Sequence, residues 1–568
     1  MELAQATSST PVAKPATRQE AARFLTQATF GPTDESINHL MSVGYSAWLQ
    51  EQFAAAPNQT YRKYWDTRTA ALRVSTGNSK VIASTSEFNH AFWAKAVKGQ
   101  DQLRQRVTLA LSEIFVVSMQ DGCVASNISG TANYMDMLGQ RSFGTYRALL
   151  EAVTLHPIMG CYLSHLRNQK EDVVTGRVPD ENYAREVMQL FSIGLVKLNE
   201  DGTPALDAQG RQQDTYTSAD VSGLAKVFTG WSFSCPDWPS DGCFRWGVKG
   251  DDANYNPERW SLPMRPYAKY HSTDAKKFLS ITIPAQAVAD PAKSLKEALD
   301  GISKHPNVGP FIGKQLIQRL VTSNPSPAYV QRVARAFTYS GGNLQATVTA
   351  ILMDTEARDM AKAVTTPTFG KVREPLLRIS ALLRAYNAQS DTGSYLLWST
   401  HDPANGLGQA PVQAPSVFNF FRPGYTPPNS FTSAANLVAP EIQLVNETSS
   451  AGYANFLVTA LTYGLGSKGY DNRGILNDVR FDYQRNAKNA LFGLTKTPVA
   501  LVEDANQRLM YGTMSAALKS EIVAAVTSVY VGSTRLPQTT EEAAETARRR
   551  VMTALMLTAA SPEFQVQK

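Results

Sequence analysis

Apolar residues recur at three- and four-residue spacing through most of the chain, and that period predicts a protein built of helices. From Arg18 onward, Ala21, Phe24, Leu25 and Ala28 share one face, and Gly31-Pro32-Thr33 interrupts the run. The next pattern covers 33–53, followed by 87–98 and 102–119. The last of these sets Leu103, Val107, Ala110, Leu111, Ile114 and Phe115 on one broad face. Helical stretches between 134 and 166 are joined at Phe143-Gly144 and His156-Pro157. The period returns from Pro291, a residue suited to a first helical position, to Met360, with Gly341-Gly342 as a break, then over 372–388 and through the C-terminal part. No stretch of that C-terminal part reads convincingly as a strand.

Between these helical regions the pattern changes twice. Asn199-Glu200-Asp201-Gly202 and Ala208-Gln209-Gly210 are turn formers and predict a small hairpin, with a helix at 218–228 after it. Beyond Gly230 the helical period disappears. Trp231, Phe233, Trp238, Phe244, Trp246, Tyr255, Trp260, Tyr267 and Tyr270 then crowd a Pro/Gly/Asp-rich segment that holds half of the chain's 8 tryptophans. A second irregular stretch, 402–429, carries Phe418, Phe420, Phe421 and Tyr425. The expected organisation is a flexible tether over 1–17, a helical region over 18–197 and a hairpin with an aromatic lobe over 198–290. A middle helical region over 291–400, an aromatic Gly/Pro loop over 401–440 and a C-terminal helical region over 441–568 complete it.

The clearest helix spans 181–193, with Asp180 as candidate cap, Glu181 in the first turn and Gly194 at its end. Asn182, Arg185, Glu186 and Gln189 fall at i, i+3, i+4 and i+7 and line one face, while Tyr183, Ala184, Val187, Met188, Leu190 and Phe191 cover the rest. A polar stripe this narrow fits a wall of an internal cleft, where Glu186 can act as general base or metal ligand and Arg185 can hold an anion. It also fits, and fits better, a solvated face or a structural ion pair. His271 and Asp274, with Glu186 or Asp220, offer the nitrogen and oxygen ligands that a divalent metal accepts, although a histidine there also suits a loop hydrogen bond. The rings of Trp231, Trp238, Trp246 and Trp260 suit stacking on sugars, or else the small core of an irregular lobe.

Composition narrows the setting. With 568 residues, 43% hydrophobic and 18% charged, the chain can bury a sizeable core. A formal charge of +6 without a dense Lys/Arg run argues against nucleic acid as partner, and no apolar stretch is long enough for a membrane span. Of Cys123, Cys161, Cys235 and Cys243, the last two enclose a short loop, and a disulfide suits it better than zinc because the spacing is not Cys-x-x-Cys. Whether Cys123 and Cys161 pair stays open. A disulfide implies oxidising surroundings, and the Ala/Ser/Thr/Pro-rich start has the composition of a tether left after leader removal, so an exported protein, periplasmic or extracellular, is expected.

Familiar signatures fail. Gly309 to Lys314 is one residue short of a phosphate-binding loop and continues with Gln315. Gly44-Tyr45-Ser46 lacks the closing glycine of a nucleophile elbow, His-Glu-x-x-His is absent, and Asn199-Glu200-Asp201-Gly202 is not continued as a calcium loop.

One resemblance does run nearly the whole length. Ala21-Ala22-Arg23-Phe24-Leu25 with Ala28-Thr29-Phe30-Gly31, Arg104-Gln105-Arg106-Val107 leading to Phe115, and Asp180-Glu181-Asn182-Tyr183-Ala184-Arg185-Glu186 through Leu190-Phe191 and Gly194 are similar to motifs of the bacterial domain of unknown function 1800 family. Asp220 with Thr229-Gly230-Trp231, His305-Pro306 to Phe311, and Pro415-Ser416-Val417-Phe418-Asn419-Phe420-Phe421 complete the likeness. Where many relatives carry His-Asn-His-Phe this chain has Ser112-Glu113-Ile114-Phe115, and the family's His-Asp becomes His271-Ser272-Thr273-Asp274. The resemblance implies a mostly helical fold, frequent export and a genomic neighbour in the sulfatase-like domain of unknown function 1501 family, but no activity.

These readings combine into one expectation. The chain should be mainly α, a large multi-helical assembly with a small irregular, aromatic-rich, disulfide-stapled lobe and a short β-hairpin. Its site should gather Glu186, Arg185, Glu181 and Asp220 as catalytic groups, with Asn182, Gln189 and the four tryptophans of the lobe on substrate and His271 and Asp274 as metal ligands. The matching functions are a carboxylate- or metal-dependent enzyme acting on an extracellular polymer such as polysaccharide, or a non-catalytic surface-assembly partner of a sulfatase-like protein.

Overall fold

Many of the helices start where the sequence supplies a hydroxyl or amide to cap them. In the computed structural model, Thr17, Thr33, Thr60, Thr145, Thr217, Ser326, Asn343 and Thr539 each accept a backbone N–H three residues on. The structure describes residues 14–57, 59–247, 257–397, 400–471, 474–486, 488–532 and 537–568. The expected tether therefore lies outside the described residues as far as residue 13, as does Tyr255 of the aromatic segment.

The protein is mainly α-helical, and its strands are two or three residues long, arranged among the described residues in five antiparallel pairs. One continuous apolar core runs from Ala21 in the first helix to Phe564 near the end. The two ends of that core meet: Val566–Gln567 pairs with Lys371–Val372, and Arg23 Nε donates to the Lys568 carbonyl at 2.8 Å. No described helix is long and apolar enough to cross a membrane.

Three of the expected helices are shorter than their apolar period. The 33–53 run divides into Asp34–Val43 and Tyr45–Ala54, because Gly44 takes φ +86°, which a helix does not continue through. The 102–119 run stops at Ser112. Ile114 to Met119 is apolar because it is buried as irregular chain, with Met119 N–H donating to Val412 O (2.8 Å) and Ser118 Oγ to Ala414 O (2.6 Å). The 181–193 helix is observed as Asn182–Gln189. The hairpin after it is held by isolated bridges, Val196 to Asp214, Leu198 to Pro204 and Leu206 to Gln212.

Both cysteine pairs are joined. Cys235 and Cys243 close the aromatic lobe with Cα atoms 5.8 Å apart, and Cys123 and Cys161 link two helices with Cα atoms 6.5 Å apart. The lobe has its own small core of the Cys235–Cys243 pair, Phe244, Tyr267 and Tyr270, in which Phe244 stacks on Tyr270 at 3.7 Å.

Three buried histidines make the fold sensitive to acid. Burial lowers the pKa of His156 to about 3 and those of His165 and His271 to about 4, so all three are neutral in the folded state. An unfolded histidine titrates near 6.5, so each contributes stability that is present above about pH 6.5 and is lost as pH falls toward its folded value, at about 1.4 kcal/mol per unit. The melting temperature is expected to drop between pH 6.5 and 4, and to drop less in His165→Gln. Parallel pH curves for the two proteins in a scanning calorimetry series would contradict this assignment.

Candidate functional site

The Asn182–Gln189 helix is fixed by its buried side before its polar side has any role. Tyr183, Ala184, Val187 and Met188 are fully buried. Tyr183 stacks on His165 at 3.9 Å and shares a hydrogen bond with Thr154 Oγ1 at 2.7 Å. Asn168 holds the entry turn, accepting from Asp180 N–H (2.9 Å) and donating to Asp180 O (3.1 Å), while Asp180 Oδ1 accepts the Asn182 N–H (2.9 Å). These contacts leave Asn182, Arg185, Glu186 and Gln189 on the opposite side.

Exposure along that stripe is graded. Asn182 is exposed, Arg185 and Gln189 are half-buried, and Glu186 keeps only 7% of its surface. Arg185 pairs with Glu181 one turn earlier (3.5 Å), and Glu181 accepts a hydrogen bond from Ser222 Oγ (2.5 Å). The Glu186 carboxyl is left alone: its Oε2 is buried without a hydrogen-bond partner among the described residues. Burial raises its pKa above the ordinary carboxylate value, and the Arg185 charge opposes that rise without cancelling it. Gln189, at the far end, accepts from the Tyr216 hydroxyl at 3.0 Å.

The other expected site residues are engaged elsewhere. Asp220 caps the Ser218–Ala225 helix through Oδ2, which accepts from Thr217 N–H and Oγ1 (both 2.7 Å), and its Oδ1 accepts the Leu279 N–H (2.6 Å). His271 is fully buried, with Nδ1 2.8 Å from Thr229 O and Nε2 3.0 Å from Ser294 Oγ. Asp274 is exposed and pairs with Lys226 at 2.9 Å. Among the described residues no three His, Cys, Asp or Glu side chains are grouped to hold a metal ion. Trp231 and Trp260 are packed into the core at 5% and 7% exposure, so neither presents a face to a sugar, while Trp238 and Trp246 remain exposed. Of the expected constellation, the structure brings together Glu181, Asn182, Arg185, Glu186 and Gln189.

Beyond Gln189 the stripe opens onto a cleft of about 410 Å³. The chain leaves the helix through Leu190 to Gly194, whose N–H donates to Met188 O at 3.0 Å. Gly194 has φ +72°, and a Cβ there would lie 2.7 Å from the ring of Phe311, so the absent side chain lets that ring close the cleft wall. At the floor, Glu113 and Arg319 are both nearly inaccessible and lie 3.4 Å apart.

Behind this floor sits a buried network. Lys371 Nζ lies 3.0 Å from Glu441 and 3.6 Å from Glu374 and donates to Arg319 O at 2.8 Å. Arg106 also donates to the Arg319 carbonyl. Burial, and next the negative Glu374, push the Glu113 pKa well up, so Glu113 keeps its proton and Glu374 is the ionised partner.

A family model described as a protein of unknown function, DUF1800, matches residues 23–566. The chain belongs to the DUF1800 family. No curated protein and no solved structure matches it. Segments that carried the DUF1800 resemblance border the cleft: the helix exit gives Leu190 and Gly194, the stretch from His305-Pro306 gives Phe311, and the aromatic motif gives Val417 and Phe418, while Glu113 and Ile114 stand where the chain departs from many relatives. Reading along the chain missed Lys314, Gln315 and Arg319 as site residues, although the failed phosphate-loop pattern lay on the first two. Their local signal was an ordinary amphipathic helix, and only the folded chain sets that helix opposite the end of Asn182–Gln189.

Proposed function

We propose that this DUF1800 member is an exported helical protein that performs acid–base chemistry on a polar extracellular polymer, such as a polysaccharide, laid along the Asn182–Gln189 stripe. The observation that carries the reading is the isolation of Glu186, a buried carboxyl with one oxygen unpartnered and a raised pKa, one turn before the Gln189 that lines the cleft. A buried carboxyl kept unpaired costs folding free energy, and such groups concentrate where a proton has to be held and passed on. In this reading Glu186 donates the proton to a leaving oxygen and recovers it from water. Arg185, braced by Glu181, holds an anionic substituent. Asn182 and Gln189 hydrogen-bond the chain, and the exposed rings of Trp238 and Trp246 offer stacking faces. Export is supported by the two disulfides, which persist in oxidising compartments.

Glu186→Gln keeps shape and hydrogen-bonding capacity but cannot transfer a proton. It is expected to reduce processing of a polysaccharide panel by at least about a hundredfold while leaving the melting temperature unchanged. A variant that processes the panel like wild type but melts lower would make Glu186 a structural brace. The non-catalytic surface-assembly role, with a sulfatase-like partner, would then take precedence.

A further inference from the structure

The cleft beyond the stripe has a chemistry different from the stripe's own. Its walls are mainly carbon, from Ile114, Leu190, Leu198, Phe311, Val417 and Val438. Two cations border it. Lys314 is half-buried, burial alone shifts its ammonium pKa downward, and among the described residues nothing is hydrogen-bonded or ion-paired to it. The Arg422 guanidinium lies over the Phe418 ring at 4.6 Å, again with no carboxylate paired to it among the described residues. Beside Lys314 stands Gln315, 7% exposed, whose Nε2 donor is buried and has no hydrogen-bond partner among the described residues.

The neighbouring amide shows what a satisfied group looks like. Gln318 Nε2 donates to Ser323 O (3.0 Å) and Pro423 O (3.2 Å) and so pins the loop that carries Arg422. Among the described lining residues there is one carboxyl, that of Glu113, which retains its proton and faces Arg319. Apolar walls, two cations without counter-charge and one unused buried donor thus coincide in a space of the size that small ligands fill. Half-buried Lys314 bears a desolvation cost that an anion would return, exposed Arg422 adds its charge at the cleft wall, and an apolar wall favours a ligand with a carbon body.

We propose that this cleft is a binding site for a small amphipathic carboxylate. Its apolar body lies against Phe311, Leu198 and Val438, its carboxylate is held by Lys314 and Arg422, and the Gln315 amide donates to it. The site goes beyond the proton-transfer role given to Glu186, which does not line the cleft, and the two can fail separately.

Isothermal titration of the full chain with sodium decanoate, kept below its micelle concentration, tests the site directly. The result expected is saturable one-to-one binding, with decanol and decyltrimethylammonium each weaker by at least about tenfold. Lys314→Ala/Arg422→Ala should lose decanoate affinity by a similar factor and retain the decanol response, and Leu198→Trp, which fills the wall, should abolish both. Thermal melts of each variant establish that it is folded, and the double variant should process polymer as wild type does. No saturable decanoate binding, equal binding of the three amphiphiles, or full retention in a folded double variant would each overturn the proposal. Loss of polymer processing in Glu186→Gln alone bears on the stripe and leaves the cleft site standing.

Discussion

Lys371→Met is expected to destabilise the protein by about 3–5 kcal/mol, the range found when one member of a buried ion pair is removed and the other charge stays behind. Lys371 has no solvent exposure and is shared between Glu441 at 3.0 Å and Glu374 at 3.6 Å. Burial by itself would raise the Glu374 pKa, yet Lys371 first, then a hydrogen bond from Glu113 and the Arg106 charge, bring it down to about 2. Without the lysine, Glu374 must either stay charged in a nonpolar interior or take up a proton. Its stabilising contribution, present above the pKa of an unfolded glutamate and lost as pH falls toward 2, is then largely gone at neutral pH. Lys371→Met/Glu374→Gln, which removes one charge of each sign and leaves Glu441 to face Arg106 and Arg319, should recover part of the loss. Urea unfolding of the three proteins checks this, and a single-variant loss below about 1 kcal/mol would show that the charges are not coupled as described.

Gly194→Ala carries the second large effect, about 2–4 kcal/mol, from two independent causes. The residue sits at φ +72°, where a Cβ is disfavoured, and that Cβ would lie 2.7 Å from the Phe311 ring. Relief requires Phe311 to move off the helix end, which widens the cleft wall. Loss of stability should therefore be accompanied by weaker decanoate binding, whereas Gly176→Ala, at a glycine of similar φ with open space around it, should show the backbone cost alone and no change in binding. Equal melting temperatures for Gly194→Ala and Gly176→Ala would remove the packing argument.

The helical character was readable because the apolar period is sustained over much of the chain. The start at Arg18, Pro291 at a first helical turn and Gly341-Gly342 as a break all mark observed boundaries. Failures came where apolar residues serve non-helical chain. Ile114 to Met119 continues the period of Gln102–Ser112, yet its Met119 N–H and Ser118 Oγ donate to the carbonyls of Val412 and Ala414, partners about three hundred residues away that no local pattern announces. The stripe could be recognised from spacing, but its graded burial could not, because Arg185 turns to Glu181 and the core packs beside Glu186. The cleft was illegible for a further reason: its described lining comes from five stretches far apart in sequence, and nothing local brings them together. In the aromatic segment sequence left two meanings for one composition, and burial of Trp231, Trp260, Phe244 and Tyr267 assigns most of those rings to packing.

Everything assigned to the stripe depends on Glu186 holding its proton more tightly than a solvated glutamate does. The direct measurement is a carboxyl carbon titration of the folded protein by nuclear magnetic resonance, with the Glu186 signal identified as the one missing in Glu186→Gln. The account predicts a midpoint clearly above about 4.3, the value of an unperturbed glutamate. A midpoint at or below that value would mean that the carboxyl is solvated or paired with Arg185, and the proposed proton-transfer site would not exist.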